Sequence, residues 1–166
     1  MFGGSFTHSL DSAGRFVMPK KFRYSLGEEF VITRGLGCLC VFTRDFVDKE
    51  ITAPLGKLGS GLQSVLNPDI VRLNRHFYMD MAVTGTDSQS RVPLTPEHRR
   101  FAGIEDEIVI CGCGDYIELW SPEALARYKK DDTVDNIIAS GERLLTAIGR
   151  KGPGEADAGV SQTGPA

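Results

Sequence analysis

Asp11-Ser-Ala-Gly-Arg15 recurs as Asp87-Ser-Gln-Ser-Arg91, at a spacing of 76 residues. Arg23 and Arg99 extend the match at the same spacing, and β-branched and aromatic runs farther on match at a spacing of 78. A fixed internal period is the sequence signature of a duplicated structural unit. The chain therefore carries two copies of one unit of roughly 35 residues, each opening with a D-x-x-x-R motif.

The two copies have the same predicted order of elements. After the motif comes a short β-rich run, then a proline and a short helix, over residues 20–26 in the first copy and 97–103 in the second. A hairpin follows in each copy, because glycines lie between β-branched and aromatic runs. The predicted hairpin strands are residues 30–34 with 38–42, and 107–111 with 116–120. This pattern predicts an α+β fold that is mainly β.

Helical patterns follow each copy. Between the copies, Asn67-Pro68 is typical of a helix start, and the apolar residues after it fall on one side: Ile70, Leu73, Phe77 and Met81. A weaker stripe precedes them, formed by Leu55, Leu58 and Leu62. After the second copy, a wide apolar stripe predicts an amphipathic helix that needs a partner surface, in its own chain or in a neighbour's. Its members are Val134, Ile137, Ile138, Leu144, Leu145 and Ile148.

These patterns divide the chain into five regions. We predict a first repeat at residues 1–50, a helical linker at 51–83 and a second repeat at 84–130. The C-terminal amphipathic helix is predicted at residues 131–148, and a flexible tail at 149–166.

Charge is distributed unevenly along the chain. The net charge is −3, but residues 1–44 hold six basic side chains against three acidic ones, and residues 76–126 hold three against nine. This asymmetry suggests that the first copy faces a polyanion while the second mainly builds structure. No apolar run approaches the roughly 20 residues of a membrane span, and the N-terminus does not resemble a signal peptide. We expect a cytoplasmic protein without a membrane partner.

The four cysteines form two C-x-C pairs, Cys38 with Cys40 and Cys111 with Cys113. Four thiolates would suit tetrahedral zinc. However, the repeat does not superpose the two pairs, and Cys113 is predicted to lie in a glycine-rich turn. We therefore expect small buried residues of a reducing compartment rather than metal ligands.

The D-x-x-x-R motif suits DNA recognition. An aspartate at a turn accepts hydrogen bonds from backbone N–H groups just ahead of it, which fixes the corner and the arginine four positions on. A guanidinium held this way can read guanine through O6 and N7, or clamp a phosphate. The alternative is that Asp11 and Arg15, like Asp87 and Arg91, form an internal pair that only closes the corner.

Three blocks of the sequence resemble one known family. MFGGSFTHSLDSAGRFVMPKKFR (residues 1–23), NPDIVRLNRHF (67–77) and DSQSRVPLTPEHRRFAGIEDEIVICGCGDYIELW (87–120) closely resemble the MraZ transcriptional regulators. The resemblance implies two fused AbrB-like swapped-hairpin repeats, forming a pseudo-twofold β-barrel with flanking helices. It further implies a ring-shaped homo-oligomer, associated with the nucleoid, that represses its own division and cell-wall operon. The DNA partner would be a double-stranded operator with G-rich direct repeats, and no cofactor is implied.

The motif and the resemblance together define a candidate DNA-binding site. The first corner is expected to be the main recognition element, with nearby lysines and an arginine on phosphates and a glycine allowing close backbone approach. The candidate residues are Asp11, Gly14, Arg15, Lys20, Lys21, Arg23, Asp87 and Arg91.

Two other classes of function were weighed. An enzyme is not expected, because the three histidines lie in unrelated contexts and no nucleophile elbow, phosphate loop or metal triad is present. A protein-binding scaffold, or an antitoxin-like protein of AbrB fold, stays the alternative, with the C-terminal helix as its binding surface.

Overall fold

A computed structural model describes residues 1–59 and 61–150. Most of the predicted tail, residues 151–166, lies outside the described residues. The chain divides into two compact units, Met1–Arg127 and Tyr128–Ala166. Among the described residues, no helix combines the length and the apolar character that spanning a membrane requires.

The first unit is built on an antiparallel sheet of six strands in the order β1-β7-β8-β4-β3-β5. Its strands are β1 (Phe2–Ser9), β3 (Glu29–Arg34), β4 (Leu39–Thr43), β5 (Ala82–Gly85), β7 (Glu107–Gly114) and β8 (Ile117–Trp120). A separate two-stranded sheet pairs β2 (Arg15–Val17) with β6 (Arg91–Pro93). Each predicted hairpin is confirmed, as β3–β4 and β7–β8. Strands β1 and β5 are the edges of the larger sheet, so the ladder described here does not close into a barrel.

Strand β7 is longer than the sequence predicted. It runs through Gly114, because β1 pairs with it from Phe2 opposite Gly114 to Ser9 opposite Glu107. The prediction that Cys113 lies in a turn is therefore wrong, since Cys113 pairs with Gly3 in the ladder. The cause is the long-range partner: an eight-residue strand satisfies backbone groups that a local turn would otherwise have to satisfy.

Short helices connect the strands. They are α1 (Lys20–Leu26), α2 (Arg44–Phe46), a π-helical stretch (Val47–Thr52), α3 (Ala53–Leu58), α4 (Gln63–Leu66), α5 (Pro68–Tyr78), α6 (Pro96–Ala102) and α7 (Pro122–Asp131). The predicted caps are confirmed: Thr43 accepts from Phe46 N, Asn67 from Asp69 N, and the Ser121 hydroxyl from the backbone of the next helix. Helices hold more of the described residues than strands, so the chain is mixed α and β rather than mainly β.

Two hydrophobic clusters cover the two faces of the large sheet. Alternation along β3 shows this directly, because Phe30 and Ile32 belong to one cluster and Val31 to the other. The first cluster includes Phe16 and Val92, so the two-stranded sheet packs over that face. The second cluster is completed by helical residues of the linker. The motif-bearing strands β2 and β6 are thereby fixed on the main core of the first unit.

The linker follows the predicted pattern only in part. Ile70 of α5 is buried and Phe77 packs against the second cluster, but Leu73 is exposed. In the weaker stripe, Leu58 and Leu62 are also exposed. The second unit contains α8 (Val134–Arg150), which confirms the predicted amphipathic helix.

Candidate nucleic-acid interface

The first corner is held by its own aspartate. One Asp11 carboxylate oxygen, Oδ1, accepts hydrogen bonds from the backbone N–H groups of Ala13 and Arg15, both at 3.0 Å. Backbone bonds close the turn, from Asp11 N to Arg15 O at 2.8 Å and from Gly14 N to Asp11 O at 2.9 Å. Gly14 has a φ of +71°, which a glycine adopts at little cost. The chain therefore turns sharply and returns as β2.

The second corner repeats this geometry. Asp87 Oδ1 accepts from the backbone N–H groups of Gln89 and Arg91, both at 2.9 Å. Ser90 takes the place of the glycine and has a φ of +63°, an uncommon conformation for a residue with a side chain. The serine therefore adopts a glycine-like backbone, and the two corners have the same shape.

The two corners meet in one group of charges. Arg15 Nε donates to Asp11 Oδ2 at 2.8 Å, and Arg91 Nε donates to Asp87 Oδ2 at 2.8 Å. Across the pair, Arg15 Nη1 lies 3.8 Å from Asp87 Oδ2, and Arg91 Nη1 lies 3.8 Å from Asp11 Oδ2. Pairing of β2 with β6 brings the motifs side by side, with Val17 opposite Arg91. We call Asp11, Arg15, Asp87 and Arg91 the corner cluster.

The corner cluster is half-buried at the surface. Its four side chains are between 28 and 34 % exposed. Hydrogen bonds from the guanidinium and the backbone N–H of Arg15 lower the pKa of the Asp11 carboxyl below its ordinary value of 3.8. The backbone N–H of Arg91 is the largest cause of the lowered pKa of Asp87. In return, the hydrogen bond to Asp11 raises the pKa of Arg15. All four groups are therefore charged at neutral pH.

Both readings of the motif are represented in this geometry. Each arginine is paired to its own aspartate, as an internal closure of the corner requires. The pairing uses the Nε edge of Arg15 and its Nη2 atom, while 3.8 Å from Nη1 to Asp87 is too long for a hydrogen bond. Within the described residues, Nη1 of each arginine is therefore left with donor capacity at the surface.

The copies also reach across to each other. Arg23 donates from Nη1 to the Ser90 hydroxyl of the second corner. Its counterpart Arg99 lies against the first corner, where a side-chain carbon at Gly14 would come within 3.2 Å of Arg99 Nη1. Sequence reasoning did not assign Arg99 to the site, although its spacing of 76 from Arg23 was the available signal. Gly14 is buried here, so its smallness makes room for Arg99.

The two candidate lysines lie beside the corner cluster in sequence, at the start of α1. Lys20 is exposed. Lys21 is exposed as well, and its ammonium donates to the backbone carbonyl of Gly3 at 2.8 Å. An ammonium has three donors, so this single bond leaves capacity for an anion. Of the eight candidates, the corner cluster comprises four, and Arg23 joins it through Ser90.

The cysteines are all free thiols. Cys38 and Cys40 are buried, and the hydrogen bond between them is the largest cause of the raised pKa of Cys38. Burial raises the pKa of Cys113 to about 12. In the part of the chain that the structure describes, no three His, Cys, Asp or Glu side chains are grouped so that they could hold a metal ion.

Comparison with known proteins identifies the relatives of this chain. Residues 1–46 and 82–148 match the family model described as "MraZ protein, putative antitoxin-like". A protein named transcriptional regulator MraZ from Thermomicrobium roseum is 37 % identical over 124 residues, covering 74 % of this chain and 83 % of the relative. One of the same name from Clostridium botulinum (strain Eklund 17B / Type B) is 35 % identical over 144 residues, covering 84 % and 94 %.

These relatives and the duplicated corner define the class of protein: it is a transcriptional regulator and not an enzyme. The match extends over both copies and into α8. The chain belongs to the MraZ family.

Proposed function

We propose that this regulator binds double-stranded DNA through the corner cluster and represses its own division and cell-wall operon. In this proposal it reads short, G-rich direct repeats and works at the nucleoid as a ring-shaped homo-oligomer. Its two copies would form the AbrB-like swapped-hairpin barrel that the sequence resemblance implies.

The corner cluster is the observation that carries the proposal. Two arginines are held at the surface by carboxylates, so little side-chain entropy remains to be lost when they meet a base. Arg15 Nη1 lies only loosely against Asp87, at 3.8 Å, and can exchange that contact for a guanine acceptor. Nearby Lys20 and Lys21 supply cations for the phosphates on either side.

One corner cluster offers few base contacts, which explains why the proposal includes an oligomer. Linked sites that engage successive DNA boxes gain through effective concentration, by roughly 10²–10⁴ over one site. A closed ring would present identical corner clusters at a regular spacing, which direct repeats in the operator would match.

Substitution of Arg15 tests the proposal. Arg15→Ala removes the guanidinium that would read guanine, so we expect loss of specific binding to the DNA upstream of the gene. A gel-shift titration with and without competitor DNA measures this loss. The native mass should stay that of the wild-type protein, because no assembly contact depends on this side chain in the proposal.

Matched controls make that result interpretable. Arg44→Ala removes an exposed guanidinium outside the corner cluster and should leave specific affinity unchanged. Arg91→Ala should weaken binding less than Arg15→Ala, since the second copy has the more acidic surroundings. Unchanged operator affinity of folded Arg15→Ala would refute the proposal, and a stronger effect of Arg91→Ala on DNA binding alone would reverse the ranking of the two corners.

A protein-binding role is the second candidate, and the exposed apolar face of α8 favours it. A scaffold or antitoxin-like protein would hold one stoichiometric protein partner and show no DNA affinity. Co-purification of such a partner, together with a negative gel-shift titration, would support this role over DNA binding.

A further inference from the structure

One uncovered apolar surface lies on the linker. Leu58, Leu62, Val65 and Leu66 are each 61–70 % exposed, although all four are large hydrophobic residues. Val65 and Leu66 line a groove of about 410 Å³ together with Pro68, Val71, Arg72 and Arg75. We call these eight residues the linker surface. Soluble proteins rarely leave a contiguous apolar patch of this kind open to water unless it binds something.

A second uncovered apolar surface lies on α8 in the other unit. Its apolar residues recur at helical spacing, and five of them are 55–71 % exposed. They are Val134, Ile137, Ile138, Leu144 and Leu145. We call these five residues the α8 stripe. A helix with such a stripe gains most of its stability by packing that stripe against another surface.

The two surfaces carry opposite charge. The groove of the linker surface is flanked by Arg72 and Arg75, both exposed. Asp135 and Glu142 lie beside the α8 stripe, seven residues apart and hence on one flank of the helix. Charge complementarity of this kind orients two apolar surfaces and favours one pairing over like-with-like pairing.

We propose that the α8 stripe of one protomer docks on the linker surface of a second copy of the same chain. This inference deepens the oligomeric part of the proposed function and rests on it, but it is independent of DNA binding. The two surfaces differ, so the contact is head-to-tail: each protomer donates its α8 to one neighbour and receives α8 from another. A head-to-tail contact closes into a ring when the rotation between protomers allows it.

Single glutamate substitutions test each surface separately. Leu66→Glu disrupts the linker surface and Leu145→Glu disrupts the α8 stripe, and both leucines are exposed within the protomer, so the fold is spared. Each variant alone should fall from the wild-type oligomer to a monomer of 18.1 kDa by sedimentation or native mass spectrometry. Leu62→Glu and Ile137→Glu repeat the test at a second position of each surface.

Mixing the two variants gives the decisive measurement. Leu66→Glu keeps an intact α8, and Leu145→Glu keeps an intact linker surface, so one contact between them remains possible. An equimolar mixture should form a heterodimer of twice 18.1 kDa and nothing larger, because the remaining surfaces are both disrupted. Formation of this heterodimer also proves that both variants are folded.

The other outcomes overturn the inference. If Leu145→Glu is monomeric while Leu66→Glu assembles normally, α8 pairs with α8 instead. If neither substitution changes a wild-type oligomer, the oligomer stands but uses other surfaces. If the wild-type chain is itself a monomer, the oligomeric proposal fails together with this one, whereas gel-shift results decide DNA binding separately. Leu36→Glu, at an exposed leucine outside both surfaces, is the matched control and should keep the wild-type mass.

Discussion

At the scale of single residues, the corner cluster balances its own charges. Arg15 and Arg91 each have one aspartate in close contact and the other at 3.8 Å. Two positive and two negative groups alternate, so neither arginine repels the other across the paired strands. The same arrangement keeps each guanidinium in one orientation, which is the property that base recognition needs.

The corner cluster gives the protein an acid-labile contribution to stability. Because the pKa values of Asp11 and Asp87 are below 3.8 in the folded chain, the cluster stabilises the fold fully above that pH. This contribution is lost as the pH falls from 3.8 through the lower folded values. Urea unfolding should therefore show wild type more stable than Asp11→Asn at pH 7, with the difference shrinking below pH 3.8. A difference that stays constant down to full protonation would contradict this assignment.

At the scale of elements, the N-terminal strand fixes the register of the second hairpin. β1 lies along all eight residues of β7, and Gly112 is the point of closest approach. A side-chain carbon at Gly112 would lie 2.4 Å from the backbone N of Gly3, and neither strand can yield without breaking the ladder. Glycine at this position therefore allows two strands to pair where any larger residue would separate them.

Gly112→Ala should destabilise the protein more than a surface substitution does. Insertion of one methyl group against backbone costs about 1–3 kcal/mol when the neighbours cannot move away. Gly3→Ala is the matched control on the opposite strand, because its side-chain carbon would meet nothing within 4 Å. Thermal unfolding of the two variants measures the contrast. Equal melting temperatures for both would show that β1 is not held against β7 as described.

Local patterns predicted most elements, and long-range contacts account for what they missed. Both hairpins, the Asn67 cap and α8 follow from periodicity and capping residues that act within a few positions. The extension of β7 past Cys113 depends on β1, about a hundred residues away in sequence, and no local signal reports it. In the site, the motif predicted each Asp–Arg pair. The contacts between the two corners arise from the pairing of β2 with β6, which a repeat alone does not specify.

At the scale of the whole molecule, local charge matters more than total charge. The chain is acidic overall, at −3, yet its first 44 residues carry a net charge of +3. A polyanion responds to the field within about 8 Å at physiological ionic strength, so distant acids of the second copy are largely screened. An acidic protein can therefore present a basic surface to DNA around the first corner.

The salt dependence of DNA binding tests this view of the molecule. Each lysine that contacts a phosphate releases counterions and steepens the plot of log affinity against log salt by about 0.9. Lys20→Ala with Lys21→Ala should therefore flatten that slope by up to this amount per lysine while the preferred DNA sequence stays the same. Lys129→Ala with Lys130→Ala removes an exposed lysine pair at the end of α7 and serves as the matched control. If the two double variants have the same slope, DNA lies elsewhere on the molecule, because phosphates next to the corner cluster must come within reach of α1.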